Sequence, residues 1–127
     1  MPNYLLYPMI FTMGGCGYGA LELAWRGHTH WTMMLAGGVS LVAIHLINTR
    51  LGCSFIRKSL LSAVFITMME FFIGCIINIA LGMKIWNYAD MPFNILGQIC
   101  LPFSVLWLIA SAIGICISML LDRCFGR

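Results

Sequence analysis

Glu70 is the carboxylate in this chain that packing alone explains least well. It belongs to an apolar run from Ser59 to Met83. At 1.5 Å per helical residue it stands about 16 Å from the start of that run, near the middle of a bilayer. An ionisable side chain at that depth costs about 2.5–3.5 kcal/mol on insertion scales and faces a partner or a cavity rather than lipid. Thr67, Gly74, Asn78 and Gly82 recur on its helical face. The stripe is therefore small and polar where the rest of the run is hydrocarbon. Two kinds of chemistry suit such a group. It can bridge two helices as a hydrogen-bonded acid, or it can bind a proton or a cation as part of a transport cycle.

A second polar group stands at the opposite end of the residue-type spectrum from its surroundings. Glu22 and Arg26 are four apart with the acid first, the favourable order for an intrahelical ion pair. This pair either seals a helix end at the membrane surface or takes part in ligand or proton binding. The stretch Trp86–Trp107, WNYADMPFNILGQICLPFSVLW, crowds Trp86, Asn87, Tyr88, Asp90, Asn94 and Gln98 into a membrane-helix mouth. Polar groups there must be satisfied by one another or by a ligand. Asn94 and Gln98 are predicted to share one helix face. Pro102 is predicted to kink that helix by removing the amide that would bond the Gln98 carbonyl. Trp86, Tyr88 and Phe93 make an interfacial belt or the walls of a site for a cationic or apolar solute. His28-x-His30 could be drawn as a metal site, but spacing fixes no fourth ligand, and solvated loop histidines beside Trp25 and Trp31 are the simpler reading. His45 reads as an interfacial polar tip.

The elements that must position these groups follow from composition. Apolar residues make up 61% and charged residues 9% of the 127 residues, and the mean hydropathy is +0.96. Soluble domains carry charged residues at about 25%. A span needs about 20 apolar residues, and four runs qualify: Tyr4–Trp25, Trp31–Asn48, Ser59–Met83 and Asn94–Leu121. The expected fold is all-α, a polytopic membrane protein of four transmembrane helices in two hairpins, forming one domain over residues 1–127. The first run lacks a basic n-region and a small-x-small cleavage site, so it is expected to stay as a true span rather than act as a signal peptide. Connections this short hold neither a soluble domain nor a nucleotide-binding cassette.

Charge orients the bundle. Arg50, Arg57, Lys58, Arg123 and Arg127 fall on one side with Asp122, and Arg26 and Lys84 on the other with Glu22 and Asp90. Lys and Arg in short loops favour the cytoplasm, so both termini are predicted to be cytoplasmic in the cell membrane. The net charge of +3 is accounted for by topology and calls for no nucleic acid. The cysteines form no C-x-x-C pair and read as small packing residues. Helix faces add the association surfaces. Thr12, Gly15, Gly19, Glu22 and Arg26 make a stripe on the first span, and Ala110, Ser111, Gly114 and Ser118 make another on the last. Small residues let backbones approach where lipid removes the hydrophobic drive.

Trp86, Tyr88, Asp90, Pro92, Phe93, Asn94, Gly97, Gln98, Cys100, Ser104 and Trp107 resemble the pattern of the Putative ABC-transporter type IV family of small membrane proteins. The likeness extends to GYGALELAWRGHTHWTMMLAGG, from Gly17 to Gly38. The resemblance implies a four-helix membrane protein, and the family's name implies a permease. Three functions are open at this point. One is a small transporter or channel working as a homo-oligomer, a dimer first, with candidate binding or coupling residues Glu22, Arg26, Glu70, Trp86, Tyr88, Asp90, Asn94 and Gln98. Another is a non-catalytic membrane subunit of a larger transporter. The third, a membrane enzyme using Glu22, His28, His30 and Asp90, lacks a nucleophile–base pair. The expectation is therefore a non-enzyme with no cofactor and no metal, whose partners are the lipid bilayer and copies of itself or a larger transporter.

Overall fold

The computed structural model describes residues 2–125. Four α-helices follow one another: α1 (Asn3–Arg26), α2 (Trp31–Arg50), α3 (Phe55–Gly74) and α4 (Leu101–Phe125). Local chemistry sets their ends. Gly27 closes α1 in the left-handed region at φ 78°, a conformation that glycine adopts without a Cβ penalty. The His30 ring caps α2 by accepting the Thr32 N–H, and the Ser54 hydroxyl caps α3 by accepting the Arg57 N–H. These tight turns make α1 and α2 antiparallel neighbours and set α2 beside α3. The most extensive contacts run between α1 and α2, and then between α3 and α4, with α2 also packed on both α3 and α4. Two hairpins are thus joined through α2.

Small residues carry the packing. A Cβ built on Gly37 would lie 2.6 Å from the Tyr18 Cβ and 2.8 Å from the Gly14 carbonyl oxygen. The two backbones of the first hairpin therefore touch. Gly15 of the predicted stripe meets the Met34 backbone of α2, and Gly19 meets the Met34 side chain. On α4, Ser111, Gly114 and Ser118 are buried, with Gly114 against Ile44 of α2. Two helical serines satisfy themselves within their own helix: Ser62 Oγ donates to the Lys58 carbonyl at 2.8 Å and Ser40 Oγ to the Ala36 carbonyl at 2.7 Å.

The outer surface is hydrocarbon. Along α3, Leu60, Leu61, Val64, Met68 and Phe72 all point away from the bundle. A face of that kind would be an aggregation liability in water and is ordinary in a bilayer. Among the described residues three helices are long and apolar enough to cross a membrane: α2 with 20 residues, α3 with its continuation to Ala80 (26 residues), and α4 with 25. At 24 residues α1 has the length, but Tyr4, Tyr7, Pro8, its four glycines and Glu22 dilute its apolar character.

Two predicted boundaries are corrected. The last helix begins at Leu101 rather than Asn94, and residues 81–100 are irregular backbone with only an isolated bridge between Ile95 and Ile99. Pro102 accordingly occupies the first turn of α4, where its missing N–H has no intrahelical partner to lose, so it starts the helix instead of kinking it. The third run starts earlier, at Phe55, and ends in a π-helical stretch, Cys75–Ala80.

Candidate functional site

The segment 81–100 forms the mouth of the bundle. Its last part, from Asn94, was expected to be helical, yet side chains hold its backbone in another shape. Asn78, on the π-helical stretch, accepts the Ile85 N–H at 2.6 Å and donates to Gln98 Oε1 at 2.8 Å. The Trp86 indole donates to the Gln98 carbonyl at 2.9 Å, and Gln98 Nε2 donates to the Leu96 carbonyl at 3.0 Å. Trp86 and Gln98 are both buried, and Gly74 leaves the space they fill. Positive φ at Gly82 (67°) and Gly97 (70°) lets the chain turn back on itself. Asn94 serves this loop only. It donates to the Ala89 and Met91 carbonyls and accepts the Gly97 N–H. The expectation that Asn94 and Gln98 share a helix face is therefore overturned, because neither lies on a helix.

Tyr88 carries this segment down to Glu70. The Tyr88 hydroxyl donates to Glu70 Oε2 at 3.3 Å, and the Trp107 indole of α4 donates to the same oxygen at 3.2 Å. The Tyr88 ring stacks on Phe103, centroids 4.9 Å apart. Burial, and next the Glu70 carboxyl beside it, holds the Tyr88 phenol well above the ordinary tyrosine range, so it remains a donor. Trp107 can only donate. Oε2 is thus occupied from two elements. Glu70 is 7% exposed, and its Oε1 is buried with no hydrogen-bond partner. An unmade hydrogen bond on a buried carboxyl is costly, about 1–3 kcal/mol or more, and marks a place where a further group is due.

Beside Glu70 lies a cavity of about 270 Å³ between the two hairpins. Tyr18, Trp86 and Trp107 bring aromatic rings to it, Ile44 and Ile66 contribute aliphatic wall, and Gly14 and Gly37 also line it. The Tyr18 and Trp107 rings approach across it, centroids 6.1 Å apart.

The first hairpin contributes separately. Glu22 Oε2 accepts from Arg26 at 3.2 Å and Glu22 Oε1 from the Thr29 hydroxyl at 2.6 Å. Tyr18 stands one helical turn before the same carboxylate on α1. Arg26 also donates to the Ile85 carbonyl at 3.2 Å, clipping α1 to the loop beside Trp86. The structure therefore brings Glu22, Arg26, Trp86, Tyr88, Gln98 and Glu70 into one half of the bundle. Asp90 is left exposed on the turn around residues 89–91.

Tyr18 and Trp107 escaped the reading of functional residues. A tryptophan well inside a span instead of at the interface is a signal for Trp107, and Tyr18 stands one helical turn before Glu22. His45 is corrected outright. It is buried at the other end of the bundle, 2.8 Å from Ser118 Oγ. Asn48 donates to the same hydroxyl, and Lys58 donates to the Asn48 carbonyl at 2.8 Å and to its side-chain oxygen at 3.0 Å.

Fold and site together define an all-α membrane protein with a carboxylate in its interior. Residues 16–125 match the family described as Putative ABC-transporter type IV, and the chain belongs to that family. No curated protein and no solved structure matches it.

Proposed function

We propose that the chain crosses the cell membrane four times, α1 included, and works as a homo-oligomer, a dimer first, that moves a small solute or ion. Glu70 is its coupling carboxylate. The observation that carries this reading is Oε1 of Glu70, buried beside a cavity with no partner while Oε2 holds two donors. A group so placed can take up a proton or a cation and release it. Glu22 and Arg26 close the outer end of α1 in this scheme, and Trp86, Tyr88 and Gln98 form the outer wall of the site. Asp90 and Asn94 shape the entrance above it.

Purified protein in liposomes carrying a pH-sensitive dye tests the proposal. Under an imposed membrane potential, wild-type vesicles should take up protons, and Glu70→Gln vesicles should behave as empty ones. Glutamine keeps the size and the acceptor for Tyr88 and Trp107 but cannot ionise. Equal uptake by the variant, or none by the wild type, would overturn the assignment.

Orientation follows from the cations. Arg50, Arg57, Lys58 and Arg123 stand at the end that holds both termini, which the reading places in the cytoplasm. In a background with the native cysteines replaced, Ala89→Cys should react with an impermeant thiol reagent in intact cells, and Phe55→Cys should not. The reverse pattern would invert the topology.

A second reading rests on the family description: the chain is a membrane subunit of a larger ABC-type complex. Its mass in detergent separates the two. A self-sufficient transporter runs as a defined oligomer, whereas an obligate subunit runs as a monomer or falls apart.

A further inference from the structure

The Glu70 cavity reaches the flank of the bundle. Gly17 and Leu21 of α1, with Ala110, Ile113 and Ile117 of α4, line it, and each is exposed on the outer surface of the bundle. At the cytoplasmic end α1 and α4 are sewn together by Leu6, Ile10 and Leu121. Higher up, the slot between them lies on the flank that a bilayer would cover. Given that Glu70 is the coupling carboxylate, which this inference takes from the proposed function, the geometry points to a small lipophilic ammonium ion as the cargo. It enters sideways through the α1–α4 slot and sets an N–H on Oε1 of Glu70.

Each part of that ligand answers a feature of the cavity. Its charge is set by the lining, in which Glu70 is joined by no Lys, Arg or His among the described residues. An anion would meet only repulsion there. A neutral hydrocarbon would fit the walls but leave Oε1 unpartnered, the defect that makes the empty site expensive. A hydrated metal ion fails for the opposite reason, because one carboxylate cannot replace the six or more oxygen ligands such ions take, and the slot is apolar throughout. An ammonium on an apolar body satisfies both ends. Its N–H completes the carboxylate, and its charge lies among the rings of Tyr18, Trp86 and Trp107, whose faces attract cations. Size is limited too: about 270 Å³ lies just below the common range of about 300–1,000 Å³ for ligand pockets. A body with one aromatic ring suits it. Because a proton and an ammonium compete for the same oxygen, loading one releases the other.

Phenethylammonium is the probe, with phenethyl alcohol as its neutral counterpart, titrated calorimetrically into the protein in lipid nanodiscs. Phenethylammonium should bind once per Glu70 site, and at least tenfold more tightly than the alcohol. Glu70→Gln should lose that preference. Gly17→Phe, at a position where an added Cβ meets nothing within 4 Å, should weaken binding at least fivefold by filling the slot while Glu70 stays intact. Equal binding of amine and alcohol, equal binding by wild type and Glu70→Gln, or no effect of Gly17→Phe would each overturn the inference. Failure here is distinct from failure of the proposed function. Glu70-dependent proton uptake with no amine binding removes the cargo and leaves the coupling residue, whereas proton uptake indifferent to Glu70→Gln removes both.

Discussion

Gly37→Leu should leave little folded protein, the largest loss expected from any single change in the first hairpin. The position has no room for even a Cβ, which would come within 2.6 Å of the Tyr18 Cβ and 2.8 Å of the Gly14 carbonyl oxygen. Backbone cannot step aside as a flexible side chain can, so α1 and α2 must separate along their length. Overpacking a tight site costs about 1–3 kcal/mol for modest insertions, and a whole isobutyl group against backbone exceeds that range. In lipid no hydrophobic drive restores the contact, since the tails are as apolar as leucine. Gradation along the seam makes the test sharp. Gly14→Leu should be nearly as severe, because its Cβ would meet the Gly37 carbonyl oxygen at 2.6 Å. Gly15→Leu follows, against the Met34 carbonyl oxygen at 2.9 Å, and Gly19→Leu should be milder because it meets the movable Met34 side chain at 3.2 Å. Gly17→Leu should be close to neutral. Thermal unfolding in detergent, followed by size exclusion, reads the order. A flat profile across these positions would show that the hairpin is not held by backbone contact.

Trp86→Ala is the second large effect, expected at about 3–5 kcal/mol by analogy with buried tryptophan truncations. Trp86 is 6% exposed, and its indole N–H holds the Gln98 carbonyl. Removing it opens a void at the roof of the cavity and frees an acceptor in a place that water reaches poorly. Trp86→Phe keeps most of the ring and loses only the hydrogen bond, so about 1 kcal/mol is expected. Trp25→Ala is the control: that ring is 83% exposed. If the unfolding midpoint moved equally for Trp86→Ala and Trp25→Ala, the loop 81–100 would not be anchored as described.

How much of this was legible beforehand depends on the range of the forces involved. The apolar runs were readable because helix length against bilayer thickness is a local count. The stripes Gly15–Gly19 and Ser111–Ser118 were readable for a similar reason, since helical periodicity decides which residues share a face. The partner of a stripe is another matter, and nothing in Gly37 announced that Gly14 would lie on it. The loop 81–100 was mistaken in part for helix because its geometry is fixed by Asn78 and Gln98, twenty positions apart, and no local rule couples them. Pro102 illustrates the same limit. A proline that kinks a helix and one that starts it have the same sequence signature, and only the state of the preceding residues separates them. Glu70 stood out by its depth, but the two donors that meet it come from elements that sequence spacing could not bring together. His45 was assigned to an interface by its nearness to a helix end, whereas Ser118 and Asn48 draw it inside.

The sharing of one Glu70 oxygen by Tyr88 and Trp107 has a thermodynamic corollary. Three stretches of chain meet on a single carboxyl group, so the two oxygens cannot be treated as independent sites. Charge drawn to Oε1 by any occupant is charge withdrawn from Oε2, and the grip on Tyr88 changes with it. Linkage runs equally in both directions. Whatever free energy an occupant spends in loosening the outer loop, displacing that loop must return as altered affinity for the occupant. The loop and the site are in this sense one equilibrium viewed from two ends, and a perturbation applied to the loop is measurable at the carboxyl group.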